Sequence, residues 1–129
     1  MPEPEQPEEA GETESVIWGK PVSRGRAEGR ARVVRTLEEA EALEPGEILV
    51  APVTDVGWTP YFAIISGLVT DVGSAVSHGA VVAREYGLPA VLNTRHATRT
   101  LKTGDRIRLD GDLGRVEVLD GIGSTKPAP

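Results

Sequence analysis

The chain has 129 residues, an apolar fraction of 39%, five aromatic residues and no cysteine. That suits one domain with a core of Val, Ile, Leu and Ala, and it excludes disulfides, thiolate nucleophiles and cysteine metal sites. The net charge of -6 originates in residues 1–14, which hold six Glu and no Lys or Arg, leaving 14 acidic and 14 basic residues elsewhere, so a general nucleic-acid footprint is absent.

Residues 1–14, MPEPEQPEEAGETE, have almost nothing to bury, a composition that predicts a disordered acidic tail. They lack the apolar stretch of a signal peptide. No run approaches the roughly 20 apolar residues of a membrane span. A cytoplasmic protein without a membrane partner is expected. The ordered domain is expected over 15–120, with 121–129 as a flexible tail.

Within it, Val16–Trp18 and Lys20–Val22 read as short extended pieces around Gly19. Gly29–Val34 is a predicted strand, and Leu37–Leu43 a short helix ended by Pro45 and Gly46. Glu47–Ala51 reads as a strand, Thr54–Pro60 as a loop and Tyr61–Ser66 as one or two helical turns. Gly67–Thr70 is a buried strand, and Asp71–Val76 a loop containing Gly73. Ser77–Tyr86 has helical apolar spacing and is closed by Gly87 and Pro89. Ala90–Leu92 is again a strand, and His96–Leu101 a short helix. Arg106–Asp110 and Arg115–Leu119 form a hairpin around Gly111 to Gly114. Strands at both ends and alternation in the middle predict an α/β domain with a mixed sheet and short helices.

The chemistry concentrates in Asp71–Tyr86, where a strand, a glycine-containing loop and a helix follow one another. Ser77 suits an N-cap, which puts His78 at the first helical position. Gly79 and Ala80 beside it are small, so the imidazole is expected to be sterically open. A helix start offers free N–H groups and a positive dipole end, both favourable to a phosphate. Neutral imidazole is nucleophilic near neutral pH. His78 is therefore a candidate acceptor of a phosphoryl group.

The run Ser77-His78-Gly79-Ala80-Val81-Val82-Ala83-Arg84-Glu85-Tyr86-Gly87-Leu88-Pro89-Ala90-Val91, with Gly73 before it, resembles the mobile domain of PEP-utilising enzymes. That family includes pyruvate phosphate dikinase, PEP synthase and rifampicin phosphotransferase. The similarity continues upstream through Thr54-Asp55-Val56-Gly57-Trp58-Thr59-Pro60. Downstream it takes in Ala97-Thr98, Leu101, Gly104, Asp110-Gly111 and Gly114, so it covers about Gly46 to Val118. The resemblance implies a swivelling β/β/α fold whose histidine, here His78, carries a phosphoryl group between two active sites, with Gly73, Ser74, Ser77 and Gly79 as candidate phosphate-binding positions. It implies two partner domains, on the same or another chain. One is an ATP-grasp domain holding ATP and Mg²⁺; the other holds pyruvate, PEP or a similar substrate. No cofactor or metal is expected on this domain. Ser74, Val76 and Gly79 differ from the residues usual in the family; Val76 lacks a hydroxyl that Ser74 could replace. Those differences motivate an alternative: a stand-alone binding or regulatory module that keeps the fold without phosphotransfer.

Other residues invite simpler explanations. His96 reads as structural, and Arg84, on another face of the His78 helix, as a partner in an internal ion pair. Gly57, Trp58, Thr59 and Pro60 form either a docking surface or, through Trp58, a cover over the core. Asp110-Gly111 is a hairpin turn. Lys20, Arg24, Arg26, Arg30, Arg32 and Arg35 face only Glu28 locally; they form either a solvated strand face or a docking surface for an acidic or nucleotide-bearing partner. A hydrolase using His78 as base lacks a credible nucleophile. Two histidines without cysteine make a zinc site improbable.

Overall fold

The computed structural model describes residues 16–120. The expected acidic and C-terminal tails lie outside the described residues. Eight strands form one mixed sheet: β1 (Val16–Trp18), β2 (Lys20–Ser23), β3 (Arg26–Val33), β4 (Ile48–Ala51), β5 (Gly67–Thr70), β6 (Ala90–Leu92), β7 (Arg106–Asp110) and β8 (Arg115–Asp120). Their order is β1-β8-β7-β3-β4-β5-β6-β2. β3 to β6 run parallel, and every other pairing is antiparallel. β1 and β2 stand at opposite ends of that order, yet Gly19 alone separates them. The sheet must therefore curl until its edges nearly meet. At that corner a Cβ on Gly19 would stand 2.5 Å from the Leu92 carbonyl oxygen.

Strands β4, β5 and β6 are buried throughout, which is why their sequences are continuous apolar runs. Successive side chains point to opposite faces, so each strand feeds two cores. Leu49, Ala51, Leu68 and Leu92 pack with Trp58, Phe62, Ala80 and Ala83. Ile48, Val50, Val69 and Val91 pack with Ile107, Leu109 and Val116. The expected α/β class with a mixed sheet and short helices is what is found.

Several boundaries differ from expectation. β3 starts at Arg26 rather than Gly29, because Arg26, Ala27 and Glu28 pair with Asp110, Leu109 and Arg108. Its polar residues occupy the solvent face, which hides the strand from an apolar pattern. The helix expected at Leu37–Leu43 is a short 3₁₀ turn, Glu38–Ala42. The largest shift is at 54–66. A 3₁₀ helix spans Val56–Ala63, started by the Asp55 carboxylate accepting from the Gly57 N–H. Helix α1 is His78–Tyr86, with Gly87 at φ 70° closing it as expected. Helix α2 is Ala97–Thr100.

The β7–β8 hairpin is held by Asp110, whose buried carboxylate accepts from the Asp112 and Leu113 N–H groups and pairs with Arg26. Burial pushes its carboxyl up. The two N–H donors and the charges of Arg26 and Arg115 outweigh that and hold it below the usual carboxylate range. A lowered folded value means stabilisation present above the unfolded pKa of about 4 and lost as pH falls through the folded value. Asp110→Asn keeps an acceptor but loses the charge. It is expected to cost about 1 kcal/mol at neutral pH. Melting temperatures of the two proteins should converge as pH falls through the folded value; a difference that persists in acid would assign the effect to shape.

Candidate functional site

The loops after β4, β5 and β6 emerge at one edge of the parallel strands, the edge where α/β sheets place their ligands. The β5 loop leads into α1, and Ser77 occupies the N-cap position with extended dihedrals, φ -68° and ψ 158°. His78 is thus the first residue of α1, as expected. Ser77 does not cap the helix with its side chain. Its hydroxyl accepts instead from the Ser74 N–H at 2.7 Å, and the Ser77 N–H donates to the Ser74 carbonyl at 3.0 Å. The Ser74 hydroxyl in turn accepts from the Val76 N–H at 3.3 Å. The two serines brace the loop, and the first-turn N–H groups of α1 have no side-chain cap, leaving donors for an anion.

Arg84 stiffens the same loop. Its guanidinium donates to the Val22 carbonyl at 2.9 Å and the Ala75 carbonyl at 2.8 Å. The expected internal ion pair is therefore replaced by a clamp between β2 and the segment before His78. Gly73 has φ 152°, and a Cβ there would stand 2.9 Å from Leu92 Cδ1. Both conditions call for glycine.

The imidazole itself is half-buried and gripped on both sides. Its Nδ1 lies 3.3 Å from the Thr54 hydroxyl, its Nε2 lies 3.1 Å from the Thr59 hydroxyl, and Phe62 presents a perpendicular ring at 5.9 Å. A neutral imidazole donates from one nitrogen and accepts at the other, so one threonine accepts while the other donates. The openness expected from Gly79 and Ala80 is not what they provide, since both are buried. A Cβ on Gly79 would stand 3.0 Å from both Leu68 Cδ2 and Thr54 Oγ1. Gly79 is thus small so that the Thr54 hydroxyl can reach His78.

Thr54 and Thr59 are the residues that sequence reasoning missed as site members. The only signal was their place in the upstream segment, which carried a resemblance and, for Thr59, a candidate docking surface, but no link to His78. Trp58, between them, is 6% exposed and belongs to the core, so it is a cover rather than a docking residue. His96 bonds Thr100 within α2 at 3.0 Å. The arginine-rich segment does not form one cationic surface. Arg32 makes a bidentate pair with Glu47 at 2.9 Å, which raises its pKa. Arg26 pairs with Asp110, Arg30 donates to the Gly104 carbonyl, and Arg35 to the Thr98 carbonyl. Among the described residues no cluster of three or more His, Asp or Glu could hold a metal, and no helix is long and apolar enough to cross a membrane.

Residues 43–114 match the model of the PEP-utilising enzyme mobile domain. The chain belongs to that family. A rifampicin phosphotransferase of Bacillus cereus is 57% identical to this mobile domain over 103 residues, 80% of the chain but 12% of that protein. The mobile domain therefore spans about 12% of the length of this curated relative. Among solved structures, aconitase X of Thermococcus kodakaraensis superposes with a TM-score of 0.66 at 23% identity, covering 81% of this chain and 98% of that one, a likeness of fold alone. An Enzyme I solution structure superposes with a TM-score of 0.53 at 33% identity, covering 60% of this mobile domain and 32% of that chain.

Proposed function

We propose that this chain is the phosphoryl carrier of a rifampicin phosphotransferase-like enzyme, with Nε2 of His78 as the atom that takes the group. The observation that carries the reading is the threonine clasp on the imidazole. The Thr54 hydroxyl is the buried partner; accepting the Nδ1 proton, it selects the tautomer with a lone pair on Nε2. That pair attacks phosphorus. The N–P bond forms as the P–O bond to the leaving phosphate breaks, and the electron pair leaves with that oxygen. The Nδ1 proton stays on the ring, which keeps the imidazole a good leaving group when an acceptor oxygen later attacks. The Thr59 hydroxyl, freed from Nε2, and the uncapped N–H groups of α1 are the donors for the phosphate, from Gly79 onward. Ser74, Ser77 and Gly73 shape the loop and act on the phosphate through it.

ATP and Mg²⁺ belong on this reading to an ATP-grasp partner domain, and the acceptor, pyruvate, PEP or a similar molecule, to a second domain, in a cytoplasmic enzyme. Four exposed valines lie in the segments that deliver Thr54 and His78: Val53, Val56, Val72 and Val76, the last 84% exposed. On this reading they form an apolar collar that excludes water on docking and protects a phosphoramidate from hydrolysis. Val76, without a hydroxyl, belongs to that collar and not to the phosphate site.

The test is the intact mass of the protein after incubation with ATP, Mg²⁺ and an active ATP-grasp partner. The expected result is one added phosphoryl group that mild acid removes and that His78→Ala never acquires. No added group, with a partner shown to charge another carrier, would favour the stand-alone binding module.

A further inference from the structure

The edge of the sheet that carries His78 has a second concavity. A groove of about 480 Å³ lies between the β1–β2 corner and the loop after β6, a volume within the range of small-molecule sites. Trp18, Lys20, Asn93, Arg95 and His96 line it, and no carboxylate does. The indole of Trp18 is 40% exposed. Neither Lys20 nor Arg95 has a side-chain hydrogen bond or ion pair among the described residues. The cleft on the opposite half of the sheet is different. It holds Arg26, Arg108 and Arg115, but Asp110 and Glu28 also line it and pair with two of them.

The backbone of the groove is also unusual. Arg95 has φ 80°, in the left-handed region that residues other than Gly and Asn seldom occupy. Hydrogen bonds from the Thr94 N–H and hydroxyl to the Thr70 carbonyl, and from the Arg95 N–H to the Asp71 carbonyl, hold that conformation in place. Strain maintained in this way collects at ligand sites.

We propose that this groove binds a nucleotide with two or more phosphates, the base against Trp18 and the phosphates on Lys20 and Arg95. An exposed indole offers a flat π-face on which a base stacks. Unpaired ammonium and guanidinium groups supply charge-assisted bonds to phosphate. An inorganic polyphosphate would need no indole, and an apolar ligand would need no cations. The pair together selects a ligand that is both aromatic and anionic. The inference does not depend on the role of His78.

Calorimetric titration of the 129-residue protein with ADP, adenosine and pyrophosphate tests it. ADP should bind saturably with a Kd below about 1 mM, and adenosine and pyrophosphate each at least about tenfold more weakly. Lys20→Gln and Arg95→Asn, the latter chosen because Asn tolerates positive φ, should each weaken ADP by about tenfold. Trp18→Leu should weaken ADP but not pyrophosphate. Absence of saturable ADP binding, pyrophosphate binding as tightly as ADP, or unchanged binding in Lys20→Gln would overturn the proposal. If Arg95→Asn fails to fold, Lys20→Gln decides.

Discussion

Phosphoryl acceptance is expected to vanish in His78→Ala and to continue at a reduced rate in Thr54→Val. The two outcomes separate the atom that reacts from the group that orients it. His78 is half-buried at the first position of α1, so its loss should leave stability within about 1 kcal/mol of the parent. Valine nearly preserves the shape of Thr54 while replacing the hydroxyl 3.3 Å from Nδ1 with a methyl group. The ring then loses the hydroxyl proposed to accept its Nδ1 proton. Removing the partner that orients a functional histidine costs about 10- to 100-fold in well-studied metal sites, and a loss of that order is expected here. The readout is the rate of appearance of acid-labile phosphate under matched donor and partner concentrations. Acceptance by His78→Ala would remove the histidine from the mechanism. A Thr54→Val protein charging at the parent rate would leave His78 in place and remove the tautomer argument.

A large loss of stability is expected from Phe62→Ala, together with a loss of transfer that Phe62→Leu largely avoids. Phe62 is 1% exposed, packs among Trp58, Leu68 and Ala80, and touches both His78 and Tyr86 at ring separations of 5.9 and 6.3 Å. Truncating a buried phenylalanine costs about 3–5 kcal/mol through lost burial and the cavity left behind. For a domain of this size each kcal/mol lowers the melting temperature by roughly 4 to 8 °C. The same side chain forms the wall behind the imidazole, between the helix bearing Thr59 and α1. Leucine refills most of that volume. Thermal unfolding and phosphoryl acceptance measured on both variants distinguish the two effects. If Phe62→Leu restores stability but not acceptance, the edge contact with His78 matters in its own right. If neither property changes in Phe62→Ala, the packing described around His78 is wrong.

Much of the fold follows from local patterns. Ile48–Ala51 and Gly67–Thr70 are short apolar runs bounded by breakers, and a strand buried on both faces must look like that. The end of α1 is equally legible, because Gly87 takes the left-handed conformation that closes a helix. α1 does start at His78, as Ser77 suggests, although the Ser77 hydroxyl braces the loop at Ser74 and does not cap the helix. Tertiary structure alone decided the rest. β3 extends back to Arg26 only because β7 pairs with it there, more than 70 residues away in sequence. Gly57 and Pro60 look like a loop, yet the cap from Asp55 and the burial of Trp58 and Phe62 fold that stretch into a 3₁₀ helix. The threonine clasp is the clearest case. Thr54 and Thr59 stand 24 and 19 residues before His78. They reach it because β4 and β5 lie side by side in parallel, so that the ends of both strands open onto one edge. A histidine at a helix start is written locally. The hydroxyls that orient its two nitrogens come from pairing between strands, whose register depends on both core faces at once.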